Sequence, residues 1–326
     1  RRGRASTRCC HCCARALTYY TLSANSAQYQ FGNNFYSMWR PNGSSPGRKW
    51  EETATTNVGL DFGFLNNRIT GSIEAYLNKT SDLLNEIDQP AVTNFSNKIV
   101  ANVGTMENRG IEFNINADII RTDNLVWSVN FNTTYNKNEI TRLTLSNNPG
   151  FIGNEFFTVG GGTGNTLFVN TVGFPKSSFF VYKQVYDNNG NPIDGLYEDL
   201  NRDGLVNSAD RYRYKNPAPE MFYGFSTNIS YKKWSAGFVL RASTGNYVYN
   251  NINAVNGNRN AVFGNGFLNN AYNDVLNTNF SGTKSGFSLS DYFIENASFL
   301  RMDNLTVGYD MGSILKGKAH VRLNAN

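Results

Sequence analysis

No apolar run in the chain approaches the roughly 20 residues that a membrane-spanning helix needs, which excludes a helical membrane protein. Cysteine stops early: Cys9, Cys10, Cys12 and Cys13 are the only four, so no disulfide framework supports the body of the protein. Histidine is nearly absent, with His11 and His320 the only two in 326 residues. No nucleophile–base pairing and no HExxH motif is visible, and acidic neighbours such as Glu51 and Glu52 read as solvated charge. No catalytic residues are assigned, and an enzyme is not expected. Charged residues make up only 17%, below the roughly 25% of soluble domains. The net charge is +5, but Arg1, Arg2, Arg4, Arg8 and Arg15 supply all of that excess. No basic stripe is left for nucleic acid.

Aromatic residues reach 14%, and Asn, Gly, Ser and Thr fill much of the remainder. This mixture suits long strands and polar loops. The mean hydropathy of −0.44 is compatible with a membrane barrel, whose strands show apolar residues only at every second position.

Residues 1–17 (RRGRASTRCCHCCARAL) stand apart. CCHCC is too crowded to wrap one tetrahedral ion, and no second ligand pair follows at zinc-finger spacing. The segment also lacks the apolar core and cleavage site of a secretory signal. It reads as a disordered or non-native head, and residues 18–326 as one β domain.

From about Asn57 onward, period-two alternation recurs. Val58, Leu60, Phe62 and Phe64 share one face. Ile69, Ile73, Ala75 and Leu77 oppose Ser72, Glu74 and Asn78. Ile111, Phe113, Ile115, Ala117 and Ile119 oppose Glu112, Asn114, Asn116 and Asp118. Trp127, Val129, Phe131 and Tyr135 oppose Ser128, Asn130 and Asn132. Further strands are predicted over 166–173, 178–187, 220–232, 234–245, 299–310 and 318–326, about ten in all. Many reach the roughly 9–11 residues that a barrel strand needs to cross a membrane. The predicted connections alternate short (66–67, 120–124, 174–177, near Lys233, 311–317) with long (80–108, 138–165, 188–219, 246–298). Up-and-down membrane barrels have this pattern, with tight turns at one end and long loops at the other. Apolar faces would meet lipid and polar faces a hydrated lumen, with Trp127, Tyr135, Tyr231, Trp234 and Tyr309 as interfacial girdles. A soluble β-sandwich would hide the same apolar faces in a core. The fold class expected is all-β, an antiparallel up-and-down transmembrane barrel. Because the last strand meets no closing partner, a sequence truncated at both ends is expected.

One motif could carry a ligand. In DLNRDGLVNSAD, Asp199, Asn201, Asp203, Gly204, Leu205 and Asp210 fall at positions 1, 3, 5, 6, 7 and 12. That is the oxygen rhythm of an EF-hand-type calcium loop, with Gly at the sharp turn and a backbone carbonyl offered by Leu205. Asp210 stands where Glu is usual, as in dockerin-type loops. Ca2+ held by Asp199, Asn201, Asp203, Leu205 and Asp210 is therefore expected as a loop staple, against a bland Asp/Asn/Gly turn that binds nothing. The cluster Gly160, Gly161, Gly162 and Gly164 lacks a P-loop lysine and reads as a flexible outer loop.

Several stretches, in order, resemble the SusC/RagA-like family of TonB-linked outer-membrane proteins: 49–84, 102–120, 172–183, 199–234 and 295–311. The resemblance covers about Lys49 to Asn326; residues 18–48 fit less well and 1–17 not at all. It implies about ten strands of a barrel of roughly 22 strands, plugged in its lumen, in the outer membrane of a Bacteroidetes-type Gram-negative bacterium. It further implies import of oligosaccharides or peptides with a SusD-like surface lipoprotein, energised by TonB–ExbB–ExbD. Plug, TonB box and the final strands have no counterpart in these residues, so the chain alone is not expected to transport. Two other readings are a secreted calcium-dependent carbohydrate-binding β protein and a passive porin or adhesin barrel.

Overall fold

A computed structural model describes residues 22–41, 47–88, 98–143, 153–158, 166–264, 266–314 and 319–325. The head 1–17 and the glycine cluster 160–164 lie outside the described residues.

The strands are β1 (Leu22–Phe31), β2 (Asn34–Pro41), β3 (Glu52–Phe64), β4 (Ile69–Asp88), β5 (Lys98–Arg121), β6 (Leu125–Arg142), β7 (Asn154–Thr158), β8 (Thr166–Asn170) and β9 (Ser178–Val181). They continue with β10 (Gln184–Tyr186), β11 (Pro192–Tyr197), β12 (Tyr212–Arg213), β13 (Met221–Tyr231), β14 (Trp234–Thr244), β15 (Tyr247–Tyr249), β16 (Ile294–Asn296), β17 (Phe299–Ile314) and β18 (Ala319–Ala325). Three short helices follow β15: α1 (Asn251–Asn256), α2 (Arg259–Phe263) and α3 (Asp274–Asn277).

Eight strands form one antiparallel wall in the order β3-β4-β5-β6-β13-β14-β17-β18. Each strand lies beside the next in chain order once two insertions, residues 143–220 and 245–298, are set aside. The turns between β3 and β4, β5 and β6, and β13 and β14 fall at one end of the wall, and both insertions leave from the other. In the first turn, Leu65, Asn66 and Asn67 all take positive φ, a conformation that asparagine tolerates well.

Pairing register carries the alternation across the wall. Leu60, Ile73, Phe113 and Thr133 are successive partners, and so are Ile229, Ala236 and Val307. Val58, Leu60, Phe64, Ile73 and Ile111 are all exposed on this outward face. A sheet that shows a continuous apolar face to its surroundings faces hydrocarbon, and at barrel depth this is the lipid side. Trp127, Tyr231, Trp234 and Tyr309 edge the apolar band at the short-turn end. The rings of Trp234 and Tyr309 lie 4.7 Å apart, and Trp127 Nε1 donates to Thr227 Oγ1 at 2.8 Å. Tyr135 lies on the same face but near the middle of β6, away from the short-turn end.

Two expectations about the strands are corrected. The segment 80–108 is mostly strand, because β4 and β5 keep pairing well beyond the apolar band. There apolar residues stand on adjacent positions, as at Leu83 and Leu84 or Ile99, Val100 and Ala101, and Ala101 and Val103 are buried, so no alternation announces the strand. The predicted strands 166–173 and 178–187 do not join the wall. Their ordered parts, β8 and β9, pair with β7 and β12 in a separate four-stranded sheet. They are five and four residues long, too short to cross a bilayer. Val169 and Val181 are fully buried, and Phe179 and Phe180 nearly so, which puts apolar residues on both faces of β9.

The two insertions thus build a folded lobe rather than loose loops. Leu167, Phe179 and Val181 from the first insertion pack with Leu289 and Ile294 from the second. A second cluster joins Ala254, Phe280, Phe287 and Phe293, with Phe280 and Phe287 edge to face at 5.1 Å. Between the insertions, Tyr182 N–H donates to the Leu289 carbonyl at 2.8 Å, and Asp291 N–H donates to the Tyr182 carbonyl at 2.9 Å.

Candidate functional site

The face opposite the apolar band is polar, and register aligns its residues in rows. One row runs Ser72, Asn114, Asn132, Gly224, Arg241, Arg301 from β4 to β17. The neighbouring row runs Glu74, Glu112, Thr134, Phe222, Ser243, Phe299. Asparagines dominate the centre. Asn130 Nδ2 donates to Asn116 Oδ1 at 2.7 Å, and Asn116 Nδ2 to Asn114 Oδ1 at 2.9 Å. Each amide offers both donors and an acceptor, so the ladder still presents hydrogen-bonding groups to the lumen.

Higher on the wall, Tyr76 OH donates to Asn136 Oδ1 at 2.9 Å, lying across Gly110 between them in register. A β-carbon at residue 110 would sit 2.5 Å from the Tyr76 hydroxyl, so the crossing requires glycine.

Charge is segregated along the rows. Asp61, Glu74 and Glu112 lie on the inner face of β3–β5, where Asn57 Nδ2 donates to Glu74 Oε2 at 3.0 Å. The inner face of β14–β18 carries Arg241, Arg301 and Arg322, with Arg322 Nη2 donating to Ser235 Oγ at 2.8 Å. A bulge between Val239 and Leu240 adds one residue to β17. Asp303 is that residue: it accepts from Arg301 Nε at 2.8 Å and lies 3.3 Å from Arg241 Nε. Bulges commonly re-aim a side chain in this way.

The loop predicted for calcium joins β11 to β12. Its residues are brought together, with Asp210 as the knot. Asp210 is fully buried; Oδ1 accepts from Leu200 N at 3.0 Å and Asn201 N at 3.3 Å, and Oδ2 from Asn207 N at 2.8 Å. These donors, led by the Asn207 amide, hold the carboxyl below its ordinary pKa. Asp199 accepts from Arg202 N at 2.7 Å and Gly204 N at 2.8 Å. Asn201 Nδ2 donates to Asp203 Oδ2 at 3.0 Å, and Asn207 Nδ2 donates to the Leu205 carbonyl at 3.4 Å. Gly204 has φ +84°, as the turn demands. The donors are all oxygen, the chemistry of a hard cation. Among the described residues no group of three His, Cys, Asp or Glu side chains is arranged to hold a metal ion. Seating one here requires the Asp203 carboxylate to leave the Asn201 amide.

Sequence reading missed three arrangements. Arg241 with Asp303 and Arg301 depends on a bulge, although Arg-x-Asp at 301–303 in an otherwise apolar strand was a signal. The knot of Gln184, Ser290 and Asp291 joins residues more than a hundred apart and left none. Glu51, read as solvated charge, accepts the Leu84 amide at 3.0 Å.

A two-faced antiparallel wall with tight turns at one end and large folded insertions at the other defines a transmembrane β-barrel of the outer membrane. The family model for the TonB dependent receptor-like β-barrel matches residues 15–191. The chain belongs to that family. It is 41% identical over 306 residues to the TonB-dependent receptor SusC of Bacteroides thetaiotaomicron, covering 93% of this chain and 30% of that protein. It is 28% identical over 240 residues to the TonB-dependent receptor P26 of Formosa agariphila, covering 70% and 24%. The chain therefore spans less than a third of the length of these relatives. The fold also matches the solved RagAB peptide transporter, with TM-score 0.68 and 20% identity over 94% of this chain and 35% of that one. The open-open state of the RagAB peptide importer gives 0.69 at 21% identity, over 95% and 34%.

Proposed function

We propose that the chain supplies wall and outer lobe to a TonB-dependent active importer that carries oligosaccharides across the outer membrane, without covalent chemistry of its own. The 41% identity to SusC supports the importer reading. The asparagine-lined inner face supports the cargo class, because paired amide donors and acceptors suit sugar hydroxyls. Peptides are the competing cargo. A SusD-like surface lipoprotein is the proposed outer partner, docking on the lobe, and TonB–ExbB–ExbD the proposed energy source.

Deleting the whole gene from the source bacterium should abolish growth on one class of oligosaccharide, and complementation should restore it. Loss of TonB should have the same effect as the deletion. Growth lost only on peptides would replace the cargo reading. Uptake that persists without TonB would mark a passive barrel.

Ca2+ at Asp199, Asn201, Asp203, Leu205 and Asp210 belongs to the same proposal, as a staple for the lobe. Its support is the oxygen donor set that the loop gathers around Asp199, Asn201, Asp203 and Asp210.

A further inference from the structure

Arg241 and Arg301 are direct cross-strand partners on the inner face. Like charges placed opposite one another destabilise a sheet. Asp303, added by the bulge, relieves only part of this, because one carboxylate faces two guanidiniums. Each arginine turns its Nε to Asp303, and among the described residues the terminal nitrogens of both make no hydrogen bond. Among the described residues neither guanidinium has a second carboxylate, and their side chains are 51% and 61% exposed. Gly224, beside Arg241 in the row, is covered by the Asn132 side chain, whose amide lies 2.7 Å from where a β-carbon would sit and so stands next to the arginine pair. Phe222 and Phe299 stand exposed in the next row, and the Arg241 guanidinium lies 6.0 Å from the Phe299 ring.

We infer that Arg241 and Arg301, held in place by Asp303, form an oxyanion cradle on the inner wall for a carboxylate of an acidic oligosaccharide. Guanidinium forks match the planar carboxylate in two-point contact. The phenylalanine rings give an apolar face to a sugar ring, and the asparagine ladder receives its hydroxyls. The inference rests on the importer reading and narrows its cargo to glycans that carry uronic acid units.

The test uses the full-length protein in detergent, with tri-galacturonate and maltotriose as probes in calorimetric titrations. The wild type should bind tri-galacturonate at least tenfold tighter than maltotriose, and added salt should erode that preference. R241Q/R301Q should remove the preference, and R241K/R301K should keep only part of it, since lysine retains charge but not the fork. Retained heat-modifiable mobility on gels shows that the variants fold. Equal binding of both probes by the wild type, or an unchanged preference in R241Q/R301Q, overturns the cradle. So does a loss of thermal stability in R241Q/R301Q without a change in preference, which assigns the arginines to a carboxylate elsewhere in the same polypeptide. Tight binding of an acidic tripeptide in place of the sugar also overturns it. Growth of the complemented deletion strain on neutral oligosaccharides separates failure of the cradle from failure of the importer reading.

Discussion

The Ser290 hydroxyl donates to Gln184 Oε1 at 2.8 Å, joining the two insertions inside the lobe. Gln184 Nε2 meanwhile approaches the carbonyls of Val185, Ile193 and Leu196 at 3.1, 2.7 and 3.1 Å. Asp291, next to Ser290, accepts from Gln184 N at 2.9 Å and from Tyr212 OH at 2.7 Å. Burial and the Asp291 carboxylate raise the Tyr212 pKa well above the usual phenol range, so this contact keeps its proton through the physiological range. Replacing Gln184 with leucine strands buried carbonyls and the Ser290 hydroxyl. Each such loss costs about 1–3 kcal/mol. Hydrogen exchange in the full-length protein should show residues 192–197 and 287–294 opening together, with β3–β6 unchanged. Unaltered exchange at both segments would deny Gln184 this role.

Asp210 makes the β11–β12 loop acid-sensitive. Its folded pKa is depressed below the ordinary 3.8 by backbone donors. A group of this kind contributes stability that is present above the unfolded pKa and lost as pH falls through the folded one. Amide protection across 199–210 should therefore be full at pH 6 and decline only below about pH 4. Asp210→Asn should lower that protection at pH 6 and flatten its pH dependence. A loop that opens near neutral pH would contradict this assignment.

Calcium should act on the same loop from the other side. Adding Ca2+ to chelator-treated full-length protein should protect 199–210 further, and Asp203→Ala should abolish the response while leaving the metal-free loop nearly unchanged. Asp203 touches only Asn201 and Leu205 in the loop's own bonding, so its removal discriminates ion binding from local structure. No response in the wild type would reduce the motif to a turn.

The two faces of the wall predict opposite tolerance to charge. Ile73 lies in the middle of the apolar band, between Leu60 and Phe113. Lysine there should cost about 2–4 kcal/mol in vesicles, the penalty of a cation at bilayer mid-depth. Ser72→Lys, one residue away on the inner face, should cost under about 1 kcal/mol, as for an exposed surface site. Urea unfolding of vesicle-inserted protein measures both; equal costs would mean that the faces are misassigned.

Legibility in the sequence followed the solvent. Where a strand has lipid on one side and water on the other, as at Ile111 to Ala117, alternation is imposed residue by residue and the wall could be read directly. Where both sides are the same medium, the signal vanishes. β4 and β5 beyond Thr80 set apolar residues side by side, as at Leu83 and Leu84, with Ala101 and Val103 buried, and read as a loop. β9 is buried on both faces and read as one more wall strand. The Asp199–Asp210 loop was legible because its contacts are local, within twelve positions. Arg241 with Asp303 and Arg301 was not, because a bulge decides which way residue 303 points, and nothing in an isolated strand fixes a register slip.

The division of the lobe core between two insertions has a consequence for biogenesis. Leu167, Phe179 and Val181 pack with Phe168, Tyr182 and Tyr212 of their own insertion, but their buried partners Leu289 and Ile294 lie beyond β13 and β14 in the chain. Without the second insertion in place, the first keeps one side of its core uncovered. A closed lobe is thus a report that both insertions are in place, and a barrel missing either one would show that unfinished surface to proteases.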